Sequence, residues 1–341
     1  MAKFKIIQTE DPSPYKKQII AFWDEYLTDT PHERFEWMMQ GNPDGPTTWF
    51  LAVTEDTNEL IGTINIMPRD VIQNNTIIRS GFLGDYIVDK NHRVFGPGLK
   101  LPKVVAQSCT NLGYNLIFAI PNSEAVKVLQ RAGLKGVKEL CCYVKPIKLA
   151  HYFEKYIPSL FSQLLSPLVE IGLSVYYKEF FTSSKYISDE VNQINDSFNR
   201  LWDKIKKCST NKLGNHGLTY IKWRFLQNPL YRFKILVARE KGKEDLVGYI
   251  IFSINRNKLE IFDTLFLKEE VFIVLLKKVS LIARKDKCQG IYFTVPLKSK
   301  WPAKLKTHGF IDAKSSMKLC WLADKGISID DWDFLQGDRN I

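Results

Sequence analysis

A long internal repeat is the feature that most limits what this chain can fold into. Trp37 and the pair Asn42-Pro43 recur as Trp223 and Asn228-Pro229, each 186 residues later. The same offset relates Gly62 to Gly248, each opening a strand that follows an apolar run, residues 49–53 in one place and 234–238 in the other. Beyond these anchors the order survives while the offset shrinks. Asp85 matches Asp263 at 178, Gly113 matches Gly290 at 177 and Gly133 matches Gly309 at 176. The eight residues lost between Gly62 and Asp85 are what a shortened hairpin would remove without harm to a core. A period this long signals a duplicated domain and excludes a solenoid of short repeats. The 341 residues then divide into a first copy over 1–145, a helical connector over 146–217 and a second copy over 218–341. In the connector Phe198, Leu201, Trp202 and Ile205 lie at helical spacing.

Within the first copy the pattern predicts a helix over residues 15–26 and strands over 50–53, 60–67 and 77–83, the last two joined by a polar turn at Gln73-Asn74-Asn75. A fourth strand, 85–88, runs into a glycine-containing loop over 92–98. Next comes a helix with Leu101, Val104, Val105, Ser108 and Leu112 on one face, Pro102 in its first turn and Gly113 at its end. A strand over 116–120 leads to a short helix after Asn122-Ser123, closed by Gly133, and a last strand over 140–144 stops at Pro146.

The segment Val88-Asp89-Lys90-Asn91-His92-Arg93-Val94-Phe95-Gly96-Pro97-Gly98 carries the most specific signal. A strand ends, two glycines at alternate positions let the backbone approach a ligand, and a helix begins with unpaired N–H groups facing the same point. That combination binds a pyrophosphate. The opposite segment of the second copy, Glu270-Val271-Phe272-Ile273-Val274-Leu275-Leu276-Lys277-Lys278, has no glycine, and its apolar side chains would fill the same space. One cofactor site is expected, in the first copy.

These residues resemble the coenzyme A-binding motif of the GNAT superfamily of N-acetyltransferases, Val-x-x-x-x-Arg/Gln-x-x-Gly-x-Gly, matched by Val88, Arg93, Gly96 and Gly98. Asn122-Ser123-Glu124-Ala125 with Gly133-Leu134 is similar to that superfamily's second motif, and Trp223-Arg224-Phe225 with Asn228-Pro229 resembles an element of two-copy GNAT-like proteins. The resemblance implies an α+β fold of two GNAT-like domains, each a mixed, mostly antiparallel sheet flanked by helices, the second degenerate. It implies acetyl-coenzyme A, or another acyl-coenzyme A, as co-substrate and a small-molecule amine as acceptor, an amino-sugar or cell-envelope precursor by analogy with two-copy relatives. Backbone groups of Ile87 and Val88 would meet the pantetheine arm. Arg93, Val94, Phe95, Gly96, Pro97, Gly98 and Leu99 would hold the pyrophosphate, with Lys100 beside it and Asn122 near the pantetheine.

The proton carriers are less defined. The Tyr that many relatives use as general acid falls at Leu129, which cannot donate a proton. Tyr143 and Tyr86 are substitutes by residue type. Asp85 is a candidate base beside the expected splay of strands, but Asp263 keeps the residue where the loop is missing, so a shared structural role competes. Two other readings stay open: a Fem-like transferase that takes its group from aminoacyl-tRNA, and a protein that binds acyl-coenzyme A without turning it over.

Composition narrows the surroundings. The net charge of +11 reads first as a solvated basic surface and next as suited to an acidic, phosphorylated small molecule, and no aromatic-interleaved motif accompanies it to point to a specific nucleic acid. Six scattered cysteines show no zinc spacing, no metal is expected, and reduced thiols in a cytoplasmic protein are the default. No secretory signal is visible at the start. Residues 157–181 are the most apolar stretch but are broken by Pro158, Pro167 and Glu170. They read as a buried helix, with a peripheral membrane contact as the alternative. Oligomeric state is not legible.

Overall fold

The structure, a computed structural model, describes residues 3–27, 29–93, 96–150, 158–181 and 183–339. Its centre is one twelve-stranded sheet built from nearly continuous apolar runs, as expected for strands covered on both faces. From one edge inward come β1 (Phe4–Thr9), β2 (Thr48–Thr54), β3 (Leu60–Pro68), β6 (Ser80–Val88) and β7 (Leu116–Ala119). From the other edge come β9 (Tyr186–Val191), β11 (Phe233–Glu240), β12 (Leu246–Asn255), β13 (Lys258–Phe266) and β14 (Gly290–Pro296). Between β7 and β14 lie β15 (Ile311–Ala323) and β8 (Gly136–Pro146). The sheet is mixed and mostly antiparallel: β6–β7 and β13–β14 are its parallel pairs.

The strand order reads the same from both edges, yet the two halves do not hold separate sheets. Strand β8 ends the first half in sequence but pairs with β14, from Gly290↔Pro146 to Pro296↔Leu140. Strand β15 ends the second half and pairs with β7, from Cys320↔Ala119 to Ala323↔Leu116. Each half thus completes its parallel pair with the other half's closing strand, and β8 and β15 also pair with each other.

The repeat anchors meet or match in space. The rings of Trp37 and Trp223 stack at 4.7 Å, and each indole N–H donates to the other's backbone carbonyl, at 2.9 and 3.2 Å. Gly62 and Gly248 each sit at a register shift, and a Cβ would lie 3.0 Å from Leu101 or 2.7 Å from Val271. A helix crosses the sheet closely at both places, which is why neither strand tolerates a side chain there. Gly133 and Gly309 both end short helices with positive φ, 125° and 85°. The Gly113–Gly290 match is not structural: Gly113 closes a turn at φ 76°, whereas Gly290 opens β14.

The eight residues by which the offset shrinks correspond to a hairpin in the first half. Strands β4 (Val71–Gln73) and β5 (Thr76–Ile78) turn through Asn74 and Asn75, both left-handed, and join β10 (Leu213–Gly214) in a small second sheet.

Helices cover both faces. Among the described residues they are α1 (Lys16–Tyr26), α2 (Glu33–Met39), α3 (Pro97–Ser108), α4 (Ser123–Ala132), α5 (Ser159–Tyr176), α6 (Ser197–Cys208), α7 (Leu218–Ile221, continuing as a wider turn to Leu226), α8 (Glu269–Lys285) and α9 (Trp301–Thr307). Helix α6 carries Phe198, Leu201 and Trp202 into the core, as their spacing predicts. Three expectations change. The strand expected over 77–83 divides, its start falling in a separate strand of the small second sheet, while residues 80–83 run on through 85–88 as one strand, β6, interrupted by a bulge rather than a break. The connector holds an edge strand, β9, which pairs antiparallel with β11 and buries Tyr186 in the core. The apolar stretch is not a buried helix: Leu164, Leu168 and Ile171 of α5 are 65%, 68% and 58% exposed. Among the described residues no helix is long and apolar enough to cross a membrane, and the six cysteines are free thiols.

Candidate functional site

Strands β6 and β7 pair in parallel from Ser80↔Leu116 to Phe82↔Phe118 and then part. From Leu83 onward, among the described residues, no strand lies beside one edge of β6. The parting opens a cleft of about 470 Å³ lined by Leu83–Tyr86, Ala119–Asn122, Tyr26, Arg34, Leu129 and, from the second half, Leu230.

A bulge shapes the strand at this point. Thr63 pairs with Ile87 and Asn65 with Gly84, so Asp85 and Tyr86 together oppose Ile64. Asp85 takes a left-handed φ of 47°, a conformation Asp accepts more readily than most residues. Thr63 Oγ1 holds the bulge by donating to the Asp85 carbonyl at 2.6 Å. Beyond it the backbone alternates. The Asp89 N–H bonds the Ile61 carbonyl of β3, and the register carries Ile87 to the same side. Val88 therefore presents its N–H and carbonyl to the open edge, while those of Ile87 face β3. Of the two strand residues expected at a pantetheine arm, Val88 turns its N–H to the open edge, and Ile87 turns its polar backbone groups to β3.

The loop beyond Val88 is tightly bonded to itself. Asp89 accepts from the Asn91 N–H and His92 Nδ1, both at 2.9 Å. Arg93 Nε donates to the Val88 carbonyl at 3.1 Å, and its guanidinium lies 5.4 Å from the Tyr26 ring. Val94 and Phe95 lie outside the described residues. Gly96 has φ 137°, and a Cβ there would lie 2.9 Å from the Phe4 ring, so the chain itself requires glycine. Lys100 Nζ sits 4.8 Å over that same ring.

Helix α3 begins at Pro97, a turn earlier than the apolar pattern suggests. Pro102 consequently lies inside the helix and has no N–H for the Gly98 carbonyl. Tyr86 Oη donates to that carbonyl instead. The bond ties the bulged strand to the helix start, leaving the N–H groups of Gly98 and Leu99 without intrahelical partners. Burial pushes the Tyr86 phenol up to about 12, so it stays protonated as a donor.

The catalytic candidates separate. Asp85 is not a free base. Arg34 Nη2 and Nη1 donate to its two oxygens at 2.8 and 3.1 Å, Asn65 Nδ2 adds a bond of 3.0 Å, and the paired side chains are only 5% and 3% exposed. Asp263 is likewise consumed, by His216 Nδ1 at 3.1 Å and Tyr249 Oη at 3.0 Å. The shared role is structural, at a bulge within a residue of each. Tyr143 is carried out of the cleft: β8 crosses to β14, where Tyr143 pairs with Phe293 and is buried in the second half's core. Asn122 borders the cleft, but its Oδ1 caps α4 by accepting from the Ala125 N–H at 2.9 Å. Leu129 faces the cleft with no proton to offer.

Sequence reasoning missed Tyr26, Arg34 and Leu230. None has a repeat partner of its own type: the residue 186 positions after Arg34 is Tyr220, and Asp263 uses a histidine instead. Only the tertiary structure brings them to the cleft.

The second half repeats the splay, β13 and β14 parting after Ile261↔Phe293, and leaves a smaller cavity of about 350 Å³ beside Thr264–Leu267, His216 and Trp301. Trp301 packs on Phe266, Phe272 and Phe293 with centroids 6.0, 5.4 and 5.2 Å away. Helix α8 opens with Glu269 and Glu270, charges that repel an anion from its N-terminus. Among the described residues no group of His, Cys, Asp and Glu could hold a metal ion.

Comparison with known proteins agrees with this geometry. Residues 8–134 match the acetyltransferase (GNAT) family model. A probable N-acyltransferase from Enterococcus faecalis superposes with a TM-score of 0.67 at 11% identity, over 95% of this chain and 73% of the other. A GCN5-related N-acetyltransferase from Anabaena variabilis gives 0.63 at 12% identity, over 93% and 72%. The N-myristoyltransferase of Saccharomyces cerevisiae, solved with bound myristoyl-CoA, gives 0.60 at 10% identity, over 98% and 88%. No curated protein sequence matches the chain. The fold is the α+β fold of the GNAT acyltransferases.

Proposed function

We propose that this chain transfers an acetyl or short acyl group from coenzyme A to an amine nitrogen in the β6–β7 cleft. The observation that carries the reading is the unpaired edge of β6 running from the Asp85 bulge to the start of α3. Bound acyl-coenzyme A would supply an activated thioester carbonyl there. The N–H of Val88 faces the open edge, where a fixed dipole can polarise such a carbonyl. The Gly98 and Leu99 N–H groups, with Arg93 and Lys100 nearby, suit the pyrophosphate. Leu230 supports a second-half contribution to the acceptor wall.

We read the palindromic strand order and the reciprocal tryptophan contact as a tandem duplication whose second copy has lost its cofactor cradle. One coenzyme per chain follows. A specific observation favours a second reading, binding without turnover: Asp85 and Asn122, two polar groups bordering the cleft, are already engaged by Arg34, Asn65 and Ala125. In the transfer reading the acceptor must then arrive as a free amine.

Isothermal titration with acetyl-coenzyme A tests the site. One binding event per chain is expected, abolished in a folded Gly96→Glu variant, with free thiol released when an amine panel is added. Absence of binding by the native chain would remove the proposal. Tight binding without thiol release from any amine would select the second reading.

A further inference from the structure

Helix α5 is inside out. Ser162, Ser166, Glu170 and Ser174 follow one another at four-residue spacing and form a single stripe. That polar stripe, not the apolar one, faces the protein. Ser162 and Ser174 are 0% and 1% exposed. Ser162 Oγ donates to the Ala150 carbonyl at 2.6 Å, and Glu170 Oε1 accepts from the Leu149 N–H at 2.7 Å. The opposite arc, with Phe161, Leu164, Leu165, Leu168, Ile171 and Val175, points into solvent. Phe180 and Phe181 extend it past the helix end. An apolar face this continuous marks a surface made to be covered.

What surrounds the face identifies its cover. Glu170 is the single charged residue of the helix, and it is turned inward. Next to Phe180 and Phe181 a depression is bordered by Lys241, Lys277 and Lys278, and Lys277 Nζ reaches the Phe181 carbonyl at 3.5 Å. Lys178 and Lys185 are exposed at the same corner. Of the carboxylates there, Glu179 is buried between Lys145 and Arg284, at 2.6 and 2.9 Å, and Asp189 lies 3.8 Å from Arg239. Lys185 lies 3.9 Å from Glu240, and the other lysines leave the rim with an excess of positive charge; a greasy face so rimmed is matched by a sheet of hydrocarbon under anionic headgroups. A second copy of the chain would bring like charge against like, which disfavours pairing through this face. The helix does not span: no described helix is long and apolar enough, and Glu170 and Glu179 fasten this one to the body. Tyr176, Phe180 and Phe181 would sit at headgroup depth, where aromatic rings are favoured.

We propose that α5 and the adjoining Phe180–Phe181 corner seat this protein on an anionic lipid surface. The inference is independent of the acyl-transfer reading.

Sedimentation with sucrose-loaded vesicles tests it, using the full chain, a Leu164→Gln/Leu168→Gln/Ile171→Gln variant and a Lys277→Gln/Lys278→Gln variant. Circular dichroism verifies folding, since all five positions lie at or near the surface. The native chain should pellet with vesicles of phosphatidylcholine and phosphatidylglycerol and bind pure phosphatidylcholine at least about tenfold more weakly. The leucine–isoleucine variant should lose roughly a hundredfold in partition coefficient on both. The lysine variant should lose only the preference for anionic lipid. If the native chain stays in the supernatant with both vesicle types, the proposal fails. Light scattering then says why: a dimer that the apolar variant splits makes the face a self-association surface, and a monomer leaves it without either role.

Discussion

Asp85→Asn separates a structural carboxylate from a catalytic one. The amide keeps the shape of the side chain and tolerates the left-handed φ of 47°, so the bulge can persist. It removes the charge that balances Arg34, a guanidinium only 5% exposed, and keeps at most one of that residue's two bonds. Rupturing a buried pair from one side costs about 3–5 kcal/mol. The bond that Asn retains places this substitution at the low end, about 3 kcal/mol. With a denaturant slope of about 3 kcal/mol/M, the urea midpoint should fall by roughly 1 M. Adding Arg34→Met removes the stranded cation, and the double-mutant cycle should show a coupling of at least about 1 kcal/mol. Tryptophan fluorescence follows unfolding, while thiol release follows turnover. An Asp85→Asn protein with an unchanged midpoint and turnover reduced a hundredfold would refute the structural assignment and make Asp85 the proton acceptor.

Two further outcomes follow from the same contacts. Tyr86→Phe strips the donor from the Gly98 carbonyl, which Pro102 cannot serve, so stability should drop by about 1 kcal/mol and acetyl-coenzyme A should bind several-fold more weakly; titration showing undiminished affinity would mean that the bond does not organise the cradle. Glu179 titrates below its ordinary value of 4.5: burial pushes it up, but Lys145 and Arg284 together outweigh that. Its ionised form therefore stabilises the fold above about pH 4.5, and that contribution disappears as pH falls through the lower folded value. The difference in urea midpoint between the native chain and Glu179→Gln should shrink from about pH 6 to about pH 3, whereas a constant difference would assign the loss to packing.

The local devices were legible because each is written in neighbouring residues. Asn122 and Gly133 bracket α4, Asn74-Asn75 turn the β4–β5 hairpin, and the amphipathic spacing of α6 buries Phe198, Leu201 and Trp202. The repeat matched Gly62 with Gly248, which sit at equivalent register shifts, and the glycine loop located the start of α3 to within a turn, while the stacking of Trp37 on Trp223 is a contact that equivalence alone does not imply. Pro102 was misplaced because apolar periodicity marks where a helix packs, not where its hydrogen bonding begins.

What the sequence determined by itself was thus most of the first half's strands and helices, the matched anchors of the two halves and the position of the loop between β6 and α3. Three matters were decided only in three dimensions. Nothing local in β8 or β15 says which parallel pair each will complete; the exchange places Tyr143 far from the cleft its number suggests. The partner of Asp85 comes from a helix 51 residues earlier, and a carboxylate's charge state and availability depend on who reaches it, not on its own neighbours in sequence. The facing of α5 was hidden for a related reason. A stripe of leucines predicts an amphipathic helix, but the hydrogen bonds of Ser162 and Glu170 to the Leu149–Ala150 backbone settle which side turns inward.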